Sequence, residues 1–211
     1  ISSGSYRKAI PCLKTAAYYS GKRSPFNQLS RYWLAESYYR SDDYAKAAEV
    51  YKTLYNNSAL YGRPEGNLLP YDVAYCYFKS GAYPSSCEWF DVYLQSGDKS
   101  RRTDALTRKG DSYFIDKNYK DAIASYEAAI RNGGNANDLY PYYQAGLALS
   151  LTNKTKDEIK LLAPVARTVP TASFWSETVY ELGRAYMADD DNANATEIFK
   201  KLSSESRDST Y

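Results

Sequence analysis

Small, aromatic and aliphatic positions recur along this chain at spacings that predict paired helices. Counting from Gly110, Tyr113 lies three residues on, Tyr119 nine, Ala122 twelve, Tyr126 sixteen and Ala129 nineteen. From Gly183, offsets three, twelve, sixteen and nineteen fall on Tyr186, Ala195, Phe199 and Leu202. Ala35 leads in the same way to Tyr38, Tyr44, Ala47, Tyr51 and Leu54, and Ala74 to Tyr77, Tyr83, Ser86, Phe90 and Tyr93. Residues three or four apart share one helical face, so each block reads as two short helices joined by a turn. The small residues let the two backbones approach closely, and the rings fill the space beside that contact. One pair cannot bury its own apolar face, which is why the unit repeats.

The anchors Ala35, Ala74, Gly110, Gly146 and Gly183 stand 39, 36, 36 and 37 residues apart, a period that predicts an all-α solenoid. The expected organisation is one array over residues 1–211. It has a half repeat at 4–19, repeats at about 28–57, 68–96, 101–132, 138–168 and 172–204, and a polar tail at 205–211. Eleven helices and no strand are expected. Gly4, Tyr6, Ala9, Leu13 and Ala16 match only the second half of a repeat, so the chain reads as a piece of a longer array. Asn56 to Leu69, with Gly62, Pro64 and Gly66, predicts an exposed loop. Pro84 should open a second helix, and Pro70 and Pro141 should open first helices. Pro11 and Pro164 fall inside predicted second helices and should bend them. The block anchored at Gly146 departs most, with Leu149 in place of tyrosine and Glu158 where a small residue is expected. It reads as the softest joint.

This small/aromatic/small/aromatic spacing, closed by Pro170 twenty-four residues after Gly146, resembles the tetratricopeptide repeat family. The resemblance implies a right-handed α-α superhelix of antiparallel pairs, about five full repeats plus a leading half. It leaves function open, because the fold serves many unrelated proteins. The segments Tyr-Trp-Leu-Ala-Glu-Ser-Tyr-Tyr-Arg (32–40) and Lys-Gly-Asp-Ser-Tyr-Phe (109–114) are similar to large bacterial envelope repeat proteins of Gram-negative anaerobes. More distantly they resemble outer-membrane assembly lipoproteins and the Tol–Pal-associated coordinator protein. A periplasmic or outer-membrane-associated location is implied, with a cytoplasmic one left open.

In the family, first helices line a concave wall. Transferred here, that wall comprises Tyr32, Glu36, Tyr39, Arg40, Tyr71, Tyr75, Phe78, Lys79, Asp111, Phe114, Tyr143, Tyr180 and Arg184. The Lys/Asn/Arg carboxylate clamp of eukaryotic adaptors is not carried over, because these positions are mainly aromatic. Tyrosine offers large, rigid contact area with a hydroxyl for hydrogen bonding. The expected partner is a protein or peptide, with Arg40, Lys79 and Arg184 selecting acidic or carboxylate-bearing segments. Two alternatives stay open: a glycan stacked on the rings, with Tyr75, Lys79 and Asp111 as its nearest candidates, and a non-catalytic platform of a larger enzyme.

Composition narrows the chemistry. The chain has no histidine, which removes the commonest general base and metal ligand. No phosphate loop, dinucleotide fingerprint or nucleophile elbow is present, so neither catalysis nor a cofactor or metal is expected. Cys12, Cys76 and Cys87 lack metal-finger spacing; a Cys76–Cys87 disulfide and a pair of buried thiols are both compatible with their positions. Asp189-Asp190-Asp191-Asn192 lacks the glycine and distant glutamate of a calcium loop and reads as a capping turn, as does Asp42-Asp43. With 27 basic and 25 acidic residues the net charge is +2, which gives no footprint for nucleic acid. No apolar run reaches the roughly 18 residues of a membrane span.

Overall fold

The computed structural model describes residues 3–21, 24–58, 60–133 and 137–205, so residues 206–211 of the expected tail lie outside the described residues. Among the described residues eleven α-helices follow one another: α1 (Ser3–Tyr19), α2 (Pro25–Tyr39), α3 (Tyr44–Asn56), α4 (Pro64–Lys79), α5 (Tyr83–Gln95), α6 (Arg102–Ile115), α7 (Tyr119–Arg131), α8 (Tyr140–Leu151), α9 (Thr155–Leu162), α10 (Trp175–Ala188) and α11 (Asn192–Glu205). A short 3₁₀ turn covers Val165–Arg167. Among the described residues there is no strand, only an isolated parallel bridge between Asp138 and Ser173. The expected all-α class is what the chain adopts. Contacts divide it into two compact units, residues 1–105 and 106–211.

In the first unit, α1 to α5 pack each on the next. Ala35 and Ala47 are fully buried beside Tyr38, Tyr51 and Leu54, with Ile10 and Leu13 of α1 leaning on the same cluster. Ala74 meets Phe90 and Tyr93 in the next cluster. In the second unit, α7 to α11 pack each on the next, and Leu162, Val179, Leu182, Leu202 and the fully buried Trp175 form its largest cluster. One close approach repeats through both units: each anchor faces the residue sixteen positions later. A Cβ added to Gly110 would sit 2.6 Å from Tyr126 Cε1; on Gly146 it would sit 2.9 Å from Leu162 Cδ1, and on Gly183 2.6 Å from Phe199 Cε1.

The turns inside the pairs share a second device. The residue seven after each anchor has a positive φ: Asp42 (63°), Gly81 (78°), Lys117 (60°), Asn153 (55°) and Asp190 (60°). The next residue often caps the following helix. Asp43 accepts from the Lys46 N–H, Asn118 from the Asp121 N–H and Asp191 from the Asn194 N–H. These acidic turns are therefore helix starts, satisfying donors that the helix itself cannot.

Two segments differ from expectation. Asn56 to Leu69 is not all exposed loop: α4 begins at Pro64, and Leu60 and Leu69 are buried. Proline at the first helical turn loses no intrahelical bond and has its φ already set, so Pro64 opens the helix while Pro70 lies buried within it. Pro164 does not bend α9. That helix ends at Leu162, and the chain tightens into the 3₁₀ turn, burying Val165 and Ala166. Pro84 and Pro141 do open α5 and α8, and Pro11 lies inside α1. The bridge through Leu139 N to Ser173 O (3.0 Å) ties the long connection after Pro164 to the start of α8.

Two stability predictions follow from the approach and the turn. Gly110→Ala should cost about 1–3 kcal/mol, the usual penalty for overpacking, because the Tyr126 ring it strikes is wholly buried. Gly183→Ala should cost under about 1 kcal/mol, because Phe199 is half-buried and can yield while alanine improves helix propensity. Urea melts should rank them in that order. Lys117→Gly should stabilise by about 0.5–1 kcal/mol by relieving a left-handed lysine; Lys117→Val should destabilise, both read as shifts of the same transition.

Candidate functional site

A cleft of about 500 Å³ opens in the first unit. α2 contributes Tyr32, Trp33, Glu36, Tyr39 and Arg40, and α4 contributes Leu68, Tyr71, Asp72 and Tyr75; Tyr51 and Arg101 complete the lining. The spacings 32, 36, 39 and 68, 71, 75 place one face of each helix on the cleft. Of the expected wall, Tyr32, Glu36, Tyr39, Arg40, Tyr71 and Tyr75 meet here. Phe78 and Lys79 do not line it. Phe78 packs edge-on to Tyr75 and Tyr83, at 6.2 and 6.0 Å between ring centroids, and Lys79 is exposed.

The rings are held rather than loose. Tyr32 packs edge-on to Tyr51 at 5.6 Å, and Tyr71 lies 4.9 Å from Tyr75. The Tyr71 and Tyr75 hydroxyls both donate to Asp104 Oδ2 at 2.7 Å. Tyr51 donates to Glu36 Oε2 at 2.9 Å, and Arg40 Nε donates to Glu36 Oε1 at 2.7 Å. Burial first, then the carboxylates of Asp72 and Glu36, push the Tyr51 phenol far above its usual range. Tyr71 is raised by burial and by Asp104. These phenols stay neutral donors.

Asp72 is the exception to this saturation. Its Oδ2 is covered and has no hydrogen-bond partner. Burial, and after it the like charge of Glu36, hold its carboxyl well above the ordinary range, against a hydrogen bond from the Tyr32 hydroxyl and the charge of Arg101. Cys76, one turn on, is a buried thiol raised by burial and by the same two carboxylates; Cys87 is a buried thiol outside any disulfide, and Cys12 is exposed.

In the second unit, Asp111 is buried and committed. It accepts from the Tyr126 hydroxyl at 2.8 Å, the Tyr140 hydroxyl at 3.0 Å and Arg108 Nη1 at 2.7 Å. Glu36 and Asp111 occupy the same place, one residue after the anchor, and each binds the phenol sixteen after it. Where that later residue is Phe90, Leu162 or Phe199, the position holds Tyr75, Leu147 or Arg184 instead. The acid is thus paired to the buried phenol. Phe114 packs edge-on to Tyr119, Tyr143 stacks on Phe174 at 5.7 Å, and Tyr180 lies 5.9 Å from Phe199. Arg184 is spent on Glu181 at 3.0 Å.

Sequence reasoning did not reach Trp33, Leu68, Asp72 or Arg101. Leu68 lies four residues before Asp72, and Asp72 three before Tyr75, on a stretch read partly as loop; once α4 starts at Pro64, the 3.6-residue period points to both. Among the described residues no group of three or more Cys, Asp or Glu is placed to hold a metal ion, and no helix is long and apolar enough to cross a membrane.

Helix pairs recurring at a fixed spacing and closed by a small-residue approach define a helical-repeat protein. Tetratricopeptide repeat models match residues 1–62 and 103–132, so these two segments carry tetratricopeptide repeats. Repeats of this family typically act as non-catalytic interaction scaffolds. Similar solved structures include MamA (17% identity, TM-score 0.67, covering 84% of this chain and 91% of that one). Another is MamA from Desulfovibrio magneticus RS-1 (19% identity, TM-score 0.63, 87% and 97% covered). A third is YrrB, described as a tetratricopeptide repeat protein with an unusual peptide-binding site (16% identity, TM-score 0.66, 99% and 95% covered). These likenesses establish the fold. A search of curated proteins finds no match.

Glu158, at the small-residue position of the divergent block, supplies a pH test in the second unit. It is 2% exposed, its Oε1 has no hydrogen-bond partner, and burial with the charge of Glu181 raises its carboxyl from 4.5 to about 7. A raised acid favours the fold when protonated, so its contribution is complete below about pH 4.5 and is lost as pH rises through about 7. Glu158→Gln should therefore stabilise the protein by about 1–2 kcal/mol at high pH. The gain should fade on acidification, as measured by chemical denaturation across the pH range.

Proposed function

We propose that this chain is an assembly scaffold that seats an extended segment of a partner protein in the cleft of its first unit. The observation that carries the reading is the cleft itself, within the roughly 300–1,000 Å³ span of ligand sites. Three of its wall tyrosines, Tyr51, Tyr71 and Tyr75, are fixed by hydrogen bonds to Glu36 and Asp104. Rings already ordered lose little freedom on binding, so their contact area is available as affinity. Trp33 stands 54% exposed at the same cleft, a large ring suited to anchoring a guest. The likeness to YrrB, a tetratricopeptide repeat protein with an unusual peptide-binding site, supports a peptide-class guest. The motif resemblance to bacterial envelope repeat proteins supports an envelope setting for the assembly.

Linear peptides selected by phage display on the intact chain test this reading. Those that bind should lose about tenfold or more in affinity on the Trp33→Ala, Tyr39→Ala double variant. They should be unaffected by Tyr143→Ala, which lies in the second unit. Selected peptides that bind the double variant as tightly as the parent would overturn the cleft as the site. Failure to select any peptide, with a melting-temperature rise in the presence of a polysaccharide, would move the assignment to glycan.

A further inference from the structure

Most polar groups facing the cleft already have partners. Glu36 uses one oxygen for Arg40 and the other for Tyr51, and Tyr71 and Tyr75 give their hydroxyls to Asp104. Asp72 Oδ2 is left without a partner under the rings. A buried acceptor with no donor is a costly arrangement, more so for a carboxylate beside another carboxylate. A proton relieves it at low pH; once the carboxyl is ionised, a positive charge held nearby does the same.

The surrounding charges agree. Tyr32 feels Asp72, Glu36 and Glu65, Tyr51 feels Asp72 and Glu36, and Tyr71 feels Asp104. Of these carboxylates Glu36 and Asp72 line the cleft, facing two guanidiniums, Arg40 and Arg101, while Glu65 and Asp104 lie outside the lining. Arg40 is already paired with Glu36, its side chain 54% exposed, and Arg101 is exposed and solvated. Solvated surface charges act weakly, whereas covered ones act strongly. The remaining walls are aromatic faces, which attract cations and not anions.

We propose that the cleft selects a cationic guest, a lysine or arginine side chain of the partner segment, seated among Tyr32, Tyr39 and Tyr75 and drawn by Asp72 and Glu36. The inference rests on the cleft being the binding site and reverses the ligand charge that Arg40 suggests in the sequence. Binding is linked to protons. The groups facing Asp72 are Glu36 and Tyr32 of α2, Tyr51 of α3, Cys76 of its own helix and Arg101. A guest cation lowers the raised Asp72 carboxyl, so the complex forms with proton release and tightens as pH rises through its titration.

The test uses pools of capped linear peptides with one fixed central residue, arginine, lysine, norleucine or glutamate, and the intact chain. The arginine and lysine pools should bind about tenfold more tightly than the norleucine pool, with the glutamate pool weakest. Asp72→Asn should abolish that preference and its pH dependence, and Arg101→Ala should widen the preference. Should Asp72→Asn not fold, Glu36→Gln serves the same purpose and should narrow the difference. Tightest binding by the glutamate or norleucine pool, or a cation preference that survives both substitutions, overturns the proposal and leaves the cleft as a site. If no pool binds the parent chain, the scaffold reading of the cleft falls, and this inference falls with it.

Discussion

The structure depends on one close approach, between the small residue that anchors each pair and the large residue sixteen positions later. At Gly110 the Tyr126 ring comes so near that even a methyl group would overlap it. Everything else in a pair is arranged around that distance. The backbones of two helices can meet only where one side chain is almost absent, and the ring opposite then supplies the buried area that holds them. The left-handed residue seven after the anchor turns the chain back at the right point, and the cap after it starts the second helix. These three demands fall on separate positions, which is why so few residues per block define the repeat.

A buried phenol adds a second demand, because its hydroxyl needs an acceptor in the core. Tyr51 and Tyr126 find theirs in Glu36 and Asp111, one residue after the anchor on the facing helix. The second unit follows this to completion: Asp111 collects two phenols and Arg108 and has become a core group. In the first unit Glu36 remains at the edge of the cleft, where its partner Arg40 is largely solvated. The same sequence position is therefore interior in one repeat and a cleft wall in another.

That difference marks what the sequence could disclose. Helix number, pairing phase and most of the core were legible, because they follow from spacings that only one arrangement satisfies. The start of α4 was not, because Gly62, Pro64 and Gly66 look like loop residues until Leu60 is seen packed against the core. The cleft was half legible. Tyr32, Tyr39, Tyr71 and Tyr75 follow from helix phase, but Arg101 arrives from a connection with no periodicity, and Asp72 is conspicuous only for a partner it lacks. Charge was the least readable property. Arg40 and Arg184 look available in the sequence, yet each is bonded to a carboxylate one turn before it.

The pairing of acid and phenol has a consequence for how such repeats diverge. Replacing the buried tyrosine by phenylalanine releases the acid from its duty, and that position can then drift to other chemistry, as Tyr75 and Arg184 stand opposite Phe90 and Phe199. A single hydroxyl hidden in the core thus governs which residue the neighbouring wall is allowed to display. Selection for a new ligand can begin with a substitution that no ligand touches.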